Sequence, residues 1–137
     1  IFVPFSHSIE LVRKYLTNNG VSCEVINGAV PVTKRTEIVK LFQEQQNPKV
    51  LIIQPQAAAH GITLHAADTI VWWSPIPSVE YYLQANARAH RAGQKNPCTV
   101  IHLQGCGVEK QMYDRLQSKK DDQEGLLAMY KKVIGLT

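Results

Sequence analysis

Apolar and polar positions alternate along the chain in two distinct rhythms. Five short runs, IFVPF (1–5), CEVIN (23–27), KVLIIQP (49–55), TIVWWS (69–74) and CTVIHLQ (98–104), are rich in Val and Ile and nearly continuous. Strands buried on both faces have this character, whereas half-exposed strands alternate apolar with polar. Between the runs the apolar spacing becomes helical. Residues 8–18 set Ile9, Val12 and Leu16 on one face, with Gly20 as a stop. Residues 33–45 set Ile38, Leu41 and Phe42 together behind a Thr33 cap. Residues 78–92 start at Pro77-Ser78 and turn Val79, Tyr82 and Leu83 toward a core. Residues 107–119 group Val108, Met112 and Leu116, and a last helix runs from about Asp121 to Ile134 before Gly135. Strand and helix in alternation predict an α/β three-layer sandwich, with helices on both faces of a mainly parallel sheet of about five or six strands. Ligands of such sheets sit outside the carboxyl ends of the strands, so the loops after the runs are the first place to look for chemistry.

Length and composition narrow the class. The 137 residues predict one domain, and 45% hydrophobic with 19% charged residues is a globular composition. No apolar run approaches the ~18 residues of a membrane span. Cys23, Cys98 and Cys106 are odd in number and form no C-x-x-C pair, which argues for a reducing compartment. The chain shows neither an initiator Met nor a signal peptide, so the expectation is a domain cut from a longer intracellular protein, cytoplasmic, or nuclear in a eukaryote. Charge is uneven. Residues 1–83 carry six basic and six acidic side chains, and residues 84–137 carry nine and five, so the whole +4 excess lies in the last 54 residues. Such asymmetry points to a phosphate-bearing partner or to an ordinary solvated basic face.

The stretch QANARAHRAGQK (84–95) favours the first of these. On a helix at ~100° per residue, Gln84, Arg88 and Arg91 share an arc of roughly 60°. Two guanidinium groups one turn apart repel unless an anion lies between them, and phosphate suits their planar, bidentate forks. Pairing with surface carboxylates is the alternative. On this stripe only Glu80 is available, and one carboxylate cannot neutralise both.

QANARAHRAGQ resembles the last motif of superfamily-two helicases, in the QAxxRxHRxGQ form of the Swi/Snf-type DNA translocases. Other segments follow in family order. IFVPFSHSIELVRKYL is similar to the strand and helix that open the second RecA-like lobe. INGAVPVTKRTEIVKLFQ matches through Gly28, Arg35 and Phe42. QPQAAAHGITLHAADTIVWWSP is similar to the AGGxGLNLTAA motif and the strand after it, and GVEKQMYDRLQSKKDDQEGLL to the closing helices. The resemblance covers essentially all of 1–137 and is closest to compact viral and bacterial members.

It implies the C-terminal RecA-like lobe of a two-lobe ATPase. ATP and Mg²⁺ would be bound mainly by a first lobe of the same polypeptide. Arg91 and Arg88 would be arginine fingers, and Gln84 and Gly61 would belong to the ATP-facing surface. Nucleic acid, by resemblance double-stranded DNA, would meet Ser6, His7, Lys34, Arg35, Gln56 and Thr63, since hydroxyls, amides and cations suit phosphate oxygens. Ser6 could equally cap a helix, and Lys34 and Arg35 could be a solvated helix start. Two other readings stay open, a non-catalytic nucleic-acid or protein binding module and an RNA helicase lobe.

Some residues depart from the family pattern. Ala58 and Ala59 replace the usual paired glycines, Thr63 replaces Asn, and Ala87 stands where an acidic residue often precedes the first arginine. The chain holds neither a GxxxxGK loop followed by Ser or Thr nor an acidic DEAH-type pair, so this segment alone is expected to be inactive. Other signals carry less. Gly105-Cys106-Gly107 predicts a tight turn into a helix rather than a dinucleotide fingerprint, and Cys98 with His102 are too few for a metal site. At least one of Trp72 and Trp73 is expected in the core.

Overall fold

Residues 1–58, 61–90, 96–118 and 123–135 are described in the computed structural model of the chain. Four strands of four residues each, β1 (Cys23–Ile26), β2 (Val50–Ile53), β3 (Thr69–Trp72) and β4 (Thr99–His102), form two parallel pairs, β1 with β2 and β3 with β4. The N-terminal segment joins them. Phe2 bridges Ile53 on one side and Trp72 on the other, both parallel. Its N–H reaches Val71 O at 2.8 Å, Val3 N–H reaches Ile53 O at 3.0 Å, and Trp73 N–H returns to Phe2 O at 2.9 Å. The spatial order is therefore β1, β2, residues 1–3, β3, β4, with the first apolar run in the middle.

The continuous apolar runs have a direct cause in this arrangement. Side chains of successive strand residues point to opposite faces. Leu51 and Ile53 belong to one buried cluster and Ile52, between them, to another. Phe2 and Val3 divide the same way. The smaller cluster packs Val3 and Ile52 under Ile9 and Val12 of α1 (Ser6–Asn18). The larger one gathers Ile38 of α2 (Val32–Gln45), the short α3 (Pro55–Ala58) and α4 (Val79–Ala89). Met112, Tyr113 and Leu116 of α5 (Gly107–Gln117) and Leu126 of α6 (Gln123–Val133) complete it.

The expected α/β architecture is present, with shorter strands and four local corrections. β4 is an edge strand. Val100 and Ile101 keep 39% and 42% of their surface exposed, so this run is not buried on both faces despite its composition. α2 starts at Val32 behind Pro31, with no side-chain cap, so Thr33 lies inside the first turn. Ser6 is likewise the first helical residue of α1, and its side chain caps nothing. In α4 the buried positions are Val79, Tyr82, Ala85 and Ala89, and Leu83 turns outward. Its 83rd position lies about 110° from the centre of that stripe at 100° per residue.

Other expectations hold. Trp72 is fully buried and donates from Nε1 to Asn86 Oδ1 at 2.9 Å, while Trp73 stays partly exposed. Ser78 caps α4 by accepting from Tyr81 N–H. Gly20, at φ +73°, ends α1, with its N–H on Thr17 O and Val21 N–H on Leu16 O. That paired closure needs a left-handed residue, which glycine supplies without strain. Gly105 does turn the chain into α5, its N–H held by the Glu109 carboxylate at 2.6 Å. Asp121 lies outside the described residues, and α6 is seen from Gln123. No described helix is long and apolar enough to cross a membrane.

Candidate functional site

Five of the sequence-predicted site residues fall at the carboxyl ends of three neighbouring strands. Ser6 and His7 open α1 directly after the N-terminal segment, and both are exposed. Lys34 and Arg35 lie in the first turns of α2, after β1. Gln56 lies exposed in α3, after β2. Because β1, β2 and residues 1–3 are adjacent in the sheet, the topology gathers these loops at one end. Gln54 stitches them, its backbone N–H reaching Ile26 O at 3.0 Å and its side-chain amide reaching Pro4 O at 3.3 Å.

The two basic residues there have different surroundings. Lys34 is exposed. Arg35 is half-buried and donates from Nε to Val30 O and from Nη2 to Asn27 O, both at 2.9 Å. Asn27 Oδ1 accepts from Ala29 N–H at 3.0 Å. The β1–α2 loop is thus shaped by one guanidinium fork spanning two carbonyls, and Arg35 holds that loop whatever else it touches.

Arg88 lies elsewhere. α4 leaves the carboxyl end of β3 and runs back along the sheet for 11 residues, about 16 Å at 1.5 Å per residue. Its last turn arrives beside the segment that leads into the amino end of β3. There Leu64 N–H donates to Arg88 O at 2.9 Å. A cavity of about 570 Å³ opens at this end, with Ile1, Val50, Leu64, Thr69 and Ala89 in its wall. The arginine end of α4 and the loops at 6–7, 34–35 and 56 are therefore at opposite ends of the strands.

Arg88 is half-buried, with its Nε shielded from solvent. As the basic residue in the last turn of α4 it also complements the helix dipole. Gln84, one turn earlier, is half-buried and donates to Glu80 Oε1 at 3.2 Å. Arg91 lies outside the described residues, as do Ala59 and His60. Gly61 has φ +80° with open space where a Cβ would be, so backbone conformation, not crowding, selects glycine there. Ala58 is the fully buried last residue of α3, a helical position that alanine suits. Thr63 is half-buried in the same segment.

Sequence reasoning passed over two residues here, Gln43 and Gln54. Gln43 Oε1 accepts from Ala66 N–H at 2.8 Å, and its amide lies 3.0 Å from His65 Nδ1. Neither glutamine differs in sequence from a solvated helix or loop residue, and only the fold brings partners to them.

Farther along the sheet, His102 on β4 lies against Tyr82 and Tyr113. Its Nε2 is 2.8 Å from Tyr82 Oη, and its ring stacks on Tyr113 at 4.0 Å. Burial lowers the His102 pKa from its ordinary value, with Asp114 opposing, and burial raises that of Tyr113. These are packing roles in the wall of the larger cluster. Among the described residues no group of three or more His, Cys, Asp or Glu side chains could hold a metal.

A central N-terminal segment flanked by parallel pairs, with helices on both faces and an arginine-bearing helix end tied to the preceding crossover, defines a RecA-like lobe. The chain belongs to the helicase conserved C-terminal domain family, whose model matches residues 1–93. It is 32% identical over 120 residues to the Chromodomain-helicase-DNA-binding protein 1-like of Danio rerio, covering 87% of this chain and 12% of that protein. It is 28% identical over 129 residues to the Chromatin-remodeling ATPase INO80 of Cryptococcus neoformans, covering 90% and 7%. The fold matches the crystal structure of the C-terminal part of the Fun30 ATPase domain with a TM-score of 0.77 at 18% identity, over 98% of this chain and 47% of that one. The chain thus spans 12% or less of the length of these two sequence relatives. The resemblance to the C-terminal lobe of Swi/Snf-type ATPases is borne out. Both relatives are eukaryotic proteins, and they lend nothing to a viral or bacterial assignment.

Proposed function

We propose that this chain is the second motor lobe of an ATP-dependent DNA translocase of the chromatin-remodelling type. Its relatives' names place those proteins on chromatin, which argues for a nuclear rather than cytoplasmic parent enzyme in a eukaryotic cell. ATP, with Mg²⁺, would be held mainly by the first lobe of the same polypeptide and would supply the phosphoanhydride bond whose hydrolysis drives movement. Arg88 and Arg91 would face its phosphates across the cleft. Gln84 would steady the stripe that carries them, and Gly61 would give the adjoining segment its turn. The α4 end suits a phosphate. Arg88 is partly withdrawn from water, so its charge acts in a lowered dielectric, and its backbone is fixed by Leu64. Ser6, His7, Lys34 and Gln56 would meet the nucleic-acid backbone, with Arg35 shaping the loop beneath Lys34, whereas Thr63, expected with them from the sequence, stands next to Leu64 at the arginine end.

The observation that supports this reading most is the Leu64–Arg88 bond. Leu64, eight residues after the exposed Gln56 of α3, is bonded to the backbone of a proposed finger. A change of grip at one end can thus be felt at the other.

The test is ATP hydrolysis by the intact parent enzyme, with and without duplex DNA, comparing wild type with Arg91→Ala. Stimulation by DNA is expected, falling by about 10³-fold or more in the variant, as arginine fingers do elsewhere. Absence of hydrolysis in wild type would favour the non-catalytic binding module. Stimulation by duplex RNA in place of DNA would favour the RNA helicase lobe.

A further inference from the structure

Residues 61–68 form no helix or strand, yet Leu64 among them meets the last turn of α4. A segment without a ladder keeps its place only through the partners of its backbone groups and its buried side chains. Ile62 and Leu64 are buried. Leu64 N–H is bound to Arg88 O at 2.9 Å, and Ala67 N–H returns to Leu64 O at 3.0 Å. A side chain of α2 also holds the segment. Gln43 Oε1 accepts from Ala66 N–H at 2.8 Å, and its Nε2 lies 3.0 Å from His65 Nδ1 and 3.3 Å from His65 Nε2.

A glutamine amide is both acceptor and donor, so this one residue can grip the backbone at Ala66 while donating to an unprotonated nitrogen of His65. Gln43 is half-buried and its partners His65 and Ala66 are exposed, so these contacts lie at the surface of the lobe. Two contacts on consecutive residues fix the rotation as well as the position of the segment.

We propose that Gln43 is a positioning residue that locks the 61–68 segment between α2 and α4 and, through the Leu64–Arg88 bond, sets Arg88 for the nucleotide. The proposal rests on the nucleotide-facing reading of Arg88. It separates three substitutions. Gln43→Leu keeps the bulk and loses both contacts. Gln43→Glu keeps the acceptor for Ala66 N–H. Gln43→Asn withdraws both groups by one methylene.

The experiment is steady-state ATP hydrolysis by the intact parent enzyme with saturating duplex DNA. A displaced catalytic group costs rate in the transition state more than it costs ground-state binding. Gln43→Leu is therefore expected to lower kcat roughly tenfold or more, with the KM for ATP changed by less than about twofold. Gln43→Asn should fall in the same direction, and Gln43→Glu should stay within about threefold of wild type. If Gln43 acts through Arg88, adding Gln43→Leu to Arg88→Ala produces little further loss, whereas independent structural damage multiplies the two losses. Hydrogen exchange on the same enzymes reads the lock without reference to activity. The Leu64 and Ala66 amides should exchange faster in Gln43→Leu and not in Gln43→Glu.

Multiplying losses, a full-rate Gln43→Leu, or unchanged exchange at those amides would overturn the proposal while leaving the motor reading intact. A wild-type enzyme that hydrolyses no ATP sinks the motor reading, and the role of Arg88 with it. Exchange at Leu64 and Ala66 would then still decide whether Gln43 locks the segment.

Discussion

At the scale of single residues, the side chains that shape the lobe mostly answer backbone groups. Arg35 spans the carbonyls of Asn27 and Val30, Gln54 reaches Pro4, and Gln43 reaches Ala66. Their job is to satisfy loops that have no ladder of their own. His102 differs, because its setting is aromatic and its imidazole is titratable. Burial holds its pKa below the ordinary 6.5, and the Asp114 charge offsets only part of that. Between the lowered folded value and 6.5 the unfolded chain binds the proton more readily than the folded one. The contribution is therefore fully present above about pH 6.5 and is lost as pH falls through the folded pKa. Urea unfolding midpoints are expected to decline from pH 7.5 to pH 5, and His102→Gln should flatten that decline. An unchanged pH slope in the variant would exclude His102 as its source.

At the scale of elements, similar composition conceals different burial. The runs at 49–55 and 98–104 are both Val- and Ile-rich. β2 lies inside the sheet with Ile52 fully buried, whereas β4 lies at its edge with Ile101 42% exposed. Truncating a buried Ile removes its transfer free energy and leaves a cavity, so Ile52→Ala should cost about 2–5 kcal/mol. Ile101→Ala should cost under about 1 kcal/mol, since much of that side chain already meets water. Denaturant titration of the two variants distinguishes them, and equal losses would contradict the edge position of β4. α4 shows the same limit of local pattern. Leu83 is as apolar as its neighbours, yet the helix rotation that buries Ala85 and Ala89 turns it outward.

At the scale of the whole molecule, the lobe separates two ends of one sheet. The exposed Lys34 stands at the carboxyl end and the half-buried Arg88 at the far end of α4. A phosphate-neutralising lysine contributes to affinity through counterion release. Lys34→Ala is thus expected to weaken duplex binding by the parent enzyme on all sequences alike and to reduce the slope of log affinity against log salt by about 1. Binding measured across salt concentrations tests this, and an unchanged slope would remove Lys34 from the interface. The strand content, the parallel sense and most helix faces could be read in the sequence. Apolar period and Gly or Ser boundaries are local signals that survive tertiary packing, as Gly20, Ser78 and the Ile9–Val12 stripe show.

The sequence by itself determined the α/β class, the family, and the stripe that carries Gln84 and Arg88, because periodicity and motif spacing are properties of neighbours along the chain. The tertiary structure alone decided that residues 1–3 occupy the middle of the sheet, that β4 is an edge, and that Arg88 lies away from the loops at 6–7, 34–35 and 56. It alone decided that Gln43 meets a segment 22 residues farther on. Sheet order and partners of this kind depend on which surfaces must be buried together, and no local pattern encodes that choice.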